Sequence, residues 1–450
     1  LLMTSGLLHR TRLQCGVCQL SARGLVLFML LCIATAYGLS CHGDSPQGTV
    51  GLHALFGLAL IVTQIVFLTR RYHVSLFAPQ PIYLLYVGLA NLSIPLLGLF
   101  LDPLSLVSPW YLAIYQSKYL LRSIMAVNVY LLVFFGISVL LGGTSAGPNE
   151  RNAGALSQSA SRRLTALATV VFALSLAFAV VNLATQGIQF GMTYSEYRSS
   201  LGELSPALYG LRFATYCLIV CIVLGEKTRV RTMGGALFGV MGLLALIGER
   251  SQLFFPLLTC LAIYQREIGL TRREKITLAA ALPVTLAAIA WVKQSRATGI
   301  YTLGGMTWLE AIRSAIVEMG GSLMPLIYCV RHADSQGPIR GYSFWVPALR
   351  VITKRLPFVE TVDFVGGGNI VVELFRGYSF GFNAIGEQYL NGGYVGVILG
   401  AAITAVLIHA VSSRRSSLYL GVFWGISFWY HLYVVRNHYG GWFGTLLINI

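Results

Sequence analysis

Two kinds of side chain in this sequence could do chemistry together: arginines drawn from distant segments, and one glutamate in a glycine-punctuated stretch. Arg250 lies in Gly248-Glu249-Arg250-Ser251-Gln252, between two short apolar runs. Lys293 and Arg296 follow another run, Arg376 precedes Gly377-Tyr378-Ser379, and Arg436 and His438 end the last full run. Singly, each arginine also reads as an anchor at headgroup level. Converging at one membrane depth, they would clamp a pyrophosphate, because guanidinium binds phosphate bidentately. Arg250 and Arg436 carry that reading best, since both sit in tight polar turns.

The glutamate is Glu387, in Gly381-Phe-Asn383-Ala-Ile-Gly386-Glu387-Gln388-Tyr389-Leu-Asn391-Gly392-Gly393-Tyr394. This half-apolar stretch leads straight into a long apolar run and looks like a re-entrant helix followed by a glycine turn. Non-helical backbone at membrane depth survives only inside protein or along a polar cavity. A carboxyl there is desolvated, which raises its pKa and suits it to general-base work. The bland alternative is a structural carboxylate paired with a neighbouring arginine.

Other candidates carry less. Gly366-Gly367-Gly368-Asn369 lacks the strand and helix of a nucleotide-binding loop and reads as a hinge or lid. His332 reads as a solvated loop residue, and Arg212 as an anchor. Asn91 and Asn128 lie inside apolar runs and need partners. The histidines have no metal-ligand spacing, and Cys15 and Cys18 form a lone CxxC, so neither a metal nor a cofactor is expected. A Cys41–Cys329 disulfide is a weak possibility.

The elements that must position these groups are membrane spans. Of 450 residues, 56% are hydrophobic and 11% charged, against roughly 25% charged in soluble domains. Mean hydropathy is +0.71. The net charge of +16 does not indicate nucleic acid, because the basic residues sit in short clusters between apolar runs. Those runs are 24–40, 50–69, 80–101, 122–142, 164–186, 206–225, 232–248, 251–265, 276–292, 393–411 and 418–435, with a twelfth beginning at Trp442. They predict an all-α polytopic membrane protein with 11–12 spans, one domain over 1–450, embedded in a lipid bilayer. The run at 24–40 reads as a retained first span.

Arg70, Arg71, Arg151, Arg162, Arg163, Lys227, Arg229, Arg231, Arg266, Arg272, Arg273, Lys275, Arg414 and Arg415 fall in alternate short loops. By the positive-inside rule those loops and the N-terminus are cytoplasmic. The polar loop at about 293–392 is then external. It holds two amphipathic stretches, Trp308–Met319 and Phe344–Phe358, expected as helices at the outer interface. In the first, Trp308, Leu309, Ile312, Ile316 and Met319 form the apolar stripe.

Three segments together resemble the Wzy-type polymerases of bacterial O-antigen and capsule repeat units. They are the Gly-Glu-Arg-Ser turn at 248–251, the external loop opening with Lys-Gln-Ser-Arg at 293–296, and Ser379 to Gly396, which looks like the family's "S…E.Y.N.G..G" stretch. Arg436 fits a late arginine of that family. Tyr394 after a Gly-Gly pair, and the curtailed last span, depart from it. The resemblance implies an inner-membrane glycosyltransferase that joins undecaprenyl-pyrophosphate-linked oligosaccharides on the periplasmic face. Arg250 and Arg436 would hold the leaving pyrophosphate, with Lys293, Arg296, Arg376 and His438 beside it. Glu387 would take the acceptor hydroxyl's proton, Tyr378, Tyr389 and Trp345 would stack on sugars, Asn391 would bind substrate, and the external helices would form a movable roof. A chain-length regulator and a flippase are candidate partners. An O-antigen ligase shares the donor and stays open as an alternative. A flippase or transporter is disfavoured, because no half of the chain is duplicated.

Overall fold

The computed structural model describes residues 48–102, 105–107, 109–141, 157–185, 194–247, 250–298, 307–341, 343–344, 382–413 and 417–436. With apolar side chains on every side and no water to satisfy peptide groups, backbone hydrogen bonds must close locally. Among the described residues the outcome is helices and no strand. In chain order they are α1 (Gly48–Tyr72), α2 (Pro79–Leu97), α3 (Pro109–Tyr115), α4 (Tyr119–Leu141), α5 (Gln158–Thr185), α6 (Tyr194–Val223) and α7 (Lys227–Ile247). There follow α8 (Arg250–Glu267), α9 (Arg272–Thr298), α10 (Trp308–Gly320), α11 (Leu323–Gln336), α12 (Ala384–Ser412) and α13 (Leu418–Val435).

Seven are long and apolar enough to cross a membrane: α1, α2, α4, α5, Pro206–Val223 of α6, α12 and α13. The other expected runs at 232–248, 251–265 and 276–292 fall on α7, α8 and α9. The runs at 24–40 and from Trp442 lie outside the described residues. So do Cys15, Cys18, Cys41 and Gly366–Asn369.

Position in the bundle follows from which helix sides are apolar. α4 is apolar all round, and Tyr130 and Phe134 in its middle are fully buried. Such a helix belongs in the interior, and α4 packs against α1, α11 and α12. By contrast, α1 exposes Leu52 and Val62, and α5 exposes Leu174 and Phe178. Those are the sides that lipid would cover.

Basic residues mark one end of the bundle. Arg266 donates to Glu267, to the carbonyl of Val411 at 2.6 Å and to that of Gly421 at 3.1 Å. One buried guanidinium thus ties the C-terminal turns of α8 and α12 to the start of α13. Arg231 pairs with Glu274 and joins the starts of α7 and α9. Burial pushes the Glu274 carboxyl up, but the Thr271 N–H and hydroxyl, Arg231 and nearby Lys227 outweigh it and hold the pKa at about 2.

The polar segment after α9 folds further into the bundle than its composition suggests. α9 itself continues to Thr298, past the expected end at 292. α10 is the first of the two amphipathic helices, started by a Thr307–Glu310 capping box. Its buried stripe is Ala311, Ala315 and Met319, while Trp308 and Leu309 stand exposed. The stripe differs from the expected one because alanines at 287 and 290 of α9 meet alanines at 311 and 315, and small faces pack closest. α11 is an unanticipated second helix, with Leu323, Leu326, Ile327 and Val330 fully buried. His332 lies on it, half-buried, and not in a solvated loop. Of the stretch Phe344–Phe358, only Phe344 is among the described residues. Cys329 is a free, fully buried thiol, which removes the Cys41–Cys329 disulfide.

Candidate active site

α12 is two helices joined at a break. Gly392 (φ −153°, ψ 18°) and Gly393 (φ 57°, ψ −143°) leave helical geometry, and the second of these conformations is open essentially to glycine alone. The short half before the break, 384–391, is buried. The chain turns so sharply that a Cβ on Gly396 would lie 2.1 Å from the Gln388 carbonyl oxygen, and one on Gly400 would strike the Gln388 side chain. The short helix and the glycine turn after it are the ones expected from the sequence.

Three neighbouring helices, α2, α10 and α11, fix the half-helix through one residue. Asn383 is its N-cap, and Oδ1 accepts from the N–H groups of Ile385 (2.9 Å) and Gly386 (3.0 Å). Nδ2 donates to Asn91 Oδ1 in α2 (2.7 Å) and to the Ser322 carbonyl in the α10–α11 turn (2.8 Å). Asn91 thereby finds a partner that its place in an apolar run demands. Asn128 finds the carbonyl of His53. Gly386 lets α11 approach, since a Cβ there would come 3.1 Å from Leu326 Cα and 3.3 Å from Cys329 Sγ. The far end is held by backbone pairing: the N–H groups of Ile339 and Arg340 donate to the carbonyls of Leu390 and Asn391.

Glu387 lies one turn into this half-helix and is fully buried. Ser343 donates to Glu387 Oε1 at 2.7 Å, and Asn391 Nδ2 donates to both Ser343 Oγ and the Glu387 carbonyl at 2.7 Å. The second Asn391 amide atom, Oδ1, is buried without a hydrogen-bond partner among the described residues. Burial, and then the Glu387 charge, push the neighbouring Cys329 thiol well above its ordinary range.

Arg436 terminates α13 and turns inward, half-buried. It donates to the carbonyl of Glu318 at 3.3 Å, and its guanidinium lies against the Tyr86 hydroxyl of α2. Glu318 lies in the last turn of α10, and Ser322, four residues on, caps the start of α11. The first of these carbonyls takes Arg436 and the second takes Asn383, so the α10–α11 junction ties Arg436 and the Glu387 half-helix to one short segment. Gly320 makes the turn fit, because a Cβ there would sit 2.2 Å from Ser93 Oγ.

Arg250 is the first residue of α8. One turn on, Phe254 and Phe255 pack on Tyr86 with ring centroids 5.6 and 5.8 Å away, and Phe255 also packs on Tyr433. The start of α8 therefore adjoins the end of α13, bringing Arg250 and Arg436 to the same region. Lys293 and Arg296 lie in the last turns of α9. The side chains of Arg250, Lys293 and Arg296 are outside the described set, as are Arg376, Tyr378, His438 and Trp345 altogether.

Tyr389 departs from its expected role. It is 4% exposed, its hydroxyl donates to Asp334 Oδ1 at 2.9 Å, and its ring meets Tyr394 edge-on at 5.2 Å. Asp334 also pairs with Arg122 at the start of α4. Tyr389 thus fastens the half-helix to α11 and α4 and offers no open face to a sugar. Ser343, Asp334 and Arg122 are additions that sequence reasoning missed. Arg122 and Asp334 stand 212 positions apart, with no local pattern to link them. Asn383 before an apolar run did carry a helix-start signal. Arg212 lies over the Tyr209 ring at 5.5 Å, as a surface anchor does.

The family described as O-antigen polysaccharide polymerase Wzy matches residues 24–450. Protein CapE of Staphylococcus aureus is 26% identical over 211 residues, which is 46% of this chain and 46% of that relative. No solved structure matches. With the match running over nearly the whole chain, this protein belongs to the O-antigen polysaccharide polymerase Wzy family.

Proposed function

We propose that the protein is an integral membrane glycosyltransferase that polymerises lipid-pyrophosphate-linked oligosaccharide repeats at the periplasmic face of the inner membrane. The observation that carries this reading is the α10–α11 turn, which receives Arg436 through Glu318 and the Glu387 half-helix through Ser322. Sidedness rests on the bundle's other end, where Arg70, Arg71, Arg231 and Arg266 gather. By the positive-inside rule that end is cytoplasmic, which turns Glu387 and Arg436 outward.

The donor is the growing chain on its lipid pyrophosphate. A hydroxyl of the next lipid-linked unit attacks the anomeric carbon, forming the new C–O bond as the bond to phosphate oxygen breaks. The bonding pair leaves on the pyrophosphate, where Arg436 and Arg250 stabilise the developing charge, supported by Lys293, Arg296 and Arg376. Fixed cations in a desolvated site are worth more than in water, because nothing has to reorganise as charge builds. The hydroxyl proton passes to Glu387, whose carboxylate is aligned by Ser343.

The test is purified protein with a lipid-pyrophosphate oligosaccharide, followed by size analysis of the product. The expected result is a ladder for the wild type. Glu387→Gln is expected to lose extension while retaining lipid binding, and Arg436→Ala to lose both. Wild-type ladders from both variants would refute the assignment. A single transfer onto a different glycolipid, with no ladder, would reveal a ligase.

A further inference from the structure

A second built feature lies at the basic end of the bundle, away from Glu387. A cleft of about 440 Å³ opens between α6, α7, α8 and α9. Its walls are apolar side chains such as Leu218, Ile222 and Leu261. Gly235 of α7 forms part of the lining, and a Cβ there would meet nothing within 4 Å. The cleft therefore has unused width where Gly234 and Gly235 of α7 form its wall.

The polar groups in the lining are cationic on balance. Arg231 and Arg273 line it with Glu274, and Glu274 is already engaged by Arg231 and by Thr271. Arg273 is exposed and makes no hydrogen bond or ion pair among the described residues. Tyr264 also lines the cleft. It is 8% exposed, and its hydroxyl lies beside Arg231 without closing a hydrogen bond of ordinary geometry.

We infer that this cleft holds one anionic phospholipid from the leaflet meeting the basic end, with an acyl chain along the glycine face of α7 and its phosphate on Arg273. Charge complementarity commits the occupant. An apolar trough at the basic end of the bundle, ending in an uncommitted guanidinium, matches a molecule with an acyl chain joined to a phosphate that bears net negative charge. Basic pockets between transmembrane helices recognise anionic headgroups by the same means. The inference uses none of the residues assigned to glycosyl transfer, so it stands or falls separately from the proposed function.

The experiment is native mass spectrometry of the full protein released from detergent, titrated with phosphatidylglycerol or phosphatidylcholine. Wild type is expected to retain one phosphatidylglycerol roughly tenfold more tightly than phosphatidylcholine, the factor that one charge-assisted contact confers. Arg273→Gln should erase that preference while leaving weak binding of both lipids. Gly235→Leu fills the cleft and should abolish the tight site. Gly242→Leu, on the same helix but outside the lining, should not. Equal retention of the two lipids by wild type would overturn the inference, as would an unchanged tight site in Gly235→Leu. Displacement of the lipid by inorganic phosphate alone would do the same.

Discussion

Asn383 offers the sharpest test of how Glu387 is held. If it served only as a helix cap, aspartate would replace it without loss, because aspartate caps as well as asparagine and favours the helix dipole. The structure demands more, since Nδ2 donates to two acceptors, Asn91 Oδ1 and the Ser322 carbonyl. Asn383→Asp keeps the cap and turns a carboxylate toward both acceptors. Orphaning each one costs about 1–3 kcal/mol, and Asn383 is fully buried, so the loss is about 2–6 kcal/mol before any cost of charge burial. Asn383→Ala orphans the same two acceptors and also removes the cap, worth about 1 kcal/mol. The two variants should therefore unfold at similarly lowered temperatures, measured by thiol-reactive dye in detergent, and both should shorten the product ladder. An Asn383→Asp protein with wild-type melting and ladder lengths, beside a weakened Asn383→Ala, would reduce the residue to a simple cap. The four-helix junction would then be wrong.

Three further outcomes are expected. Gly393→Ala forces a Cβ onto a backbone at φ 57°, ψ −143° and should cost about 1–3 kcal/mol, read as a lower melting temperature with weakened extension. Arg122→Ala and Asp334→Asn should show a coupling of about 1 kcal/mol in a double-mutant cycle, since the pair is partly solvated; strict additivity would remove the pair as a fastener. Glu274 has a folded pKa of about 2 against an ordinary 4.5, so its stabilisation is complete above pH 4.5 and fades as pH falls towards 2. The melting gap between wild type and Glu274→Gln should be widest at neutral pH and narrow steadily below 4.5.

What could be read from the sequence was what depends on local pattern. Apolar runs of span length located α1, α2, α4, α5, α6, α12 and α13, because in a membrane each helix satisfies its own backbone and needs no partner to be recognised. The Gly392-Gly393 break was legible for the same reason, since paired glycines ahead of an apolar run have a backbone meaning of their own. α11 escaped notice because Met324-Pro325 and the polar Arg331-His332-Ala333-Asp334 end disguise a helix whose buried side is defined by its neighbours, chiefly α12 and α4. The face of α10 was misread for a related reason. Alanine carries little hydropathy signal, yet Ala311 and Ala315 face Ala287 and Ala290 where helices approach closest.

The site divides along the same line. Glu387 and Arg436 stood out because a charge beside an apolar run is costly and invites explanation. The groups that aim them, Asn91, Ser322, Ser343 and the carbonyl of Glu318, are uncharged or main-chain and come from segments up to 292 positions away. No single segment signals their role. Arg436 could in principle have anchored to headgroups from the end of α13. Its contacts with Glu318 and Tyr86 turn it inward instead, towards the region where α8 starts with Arg250. The folding of the polar segment after α9 into the bundle is thus what separates an anchor from a candidate catalytic cation, because the carbonyls of the α10–α11 turn accept from both Arg436 and Asn383.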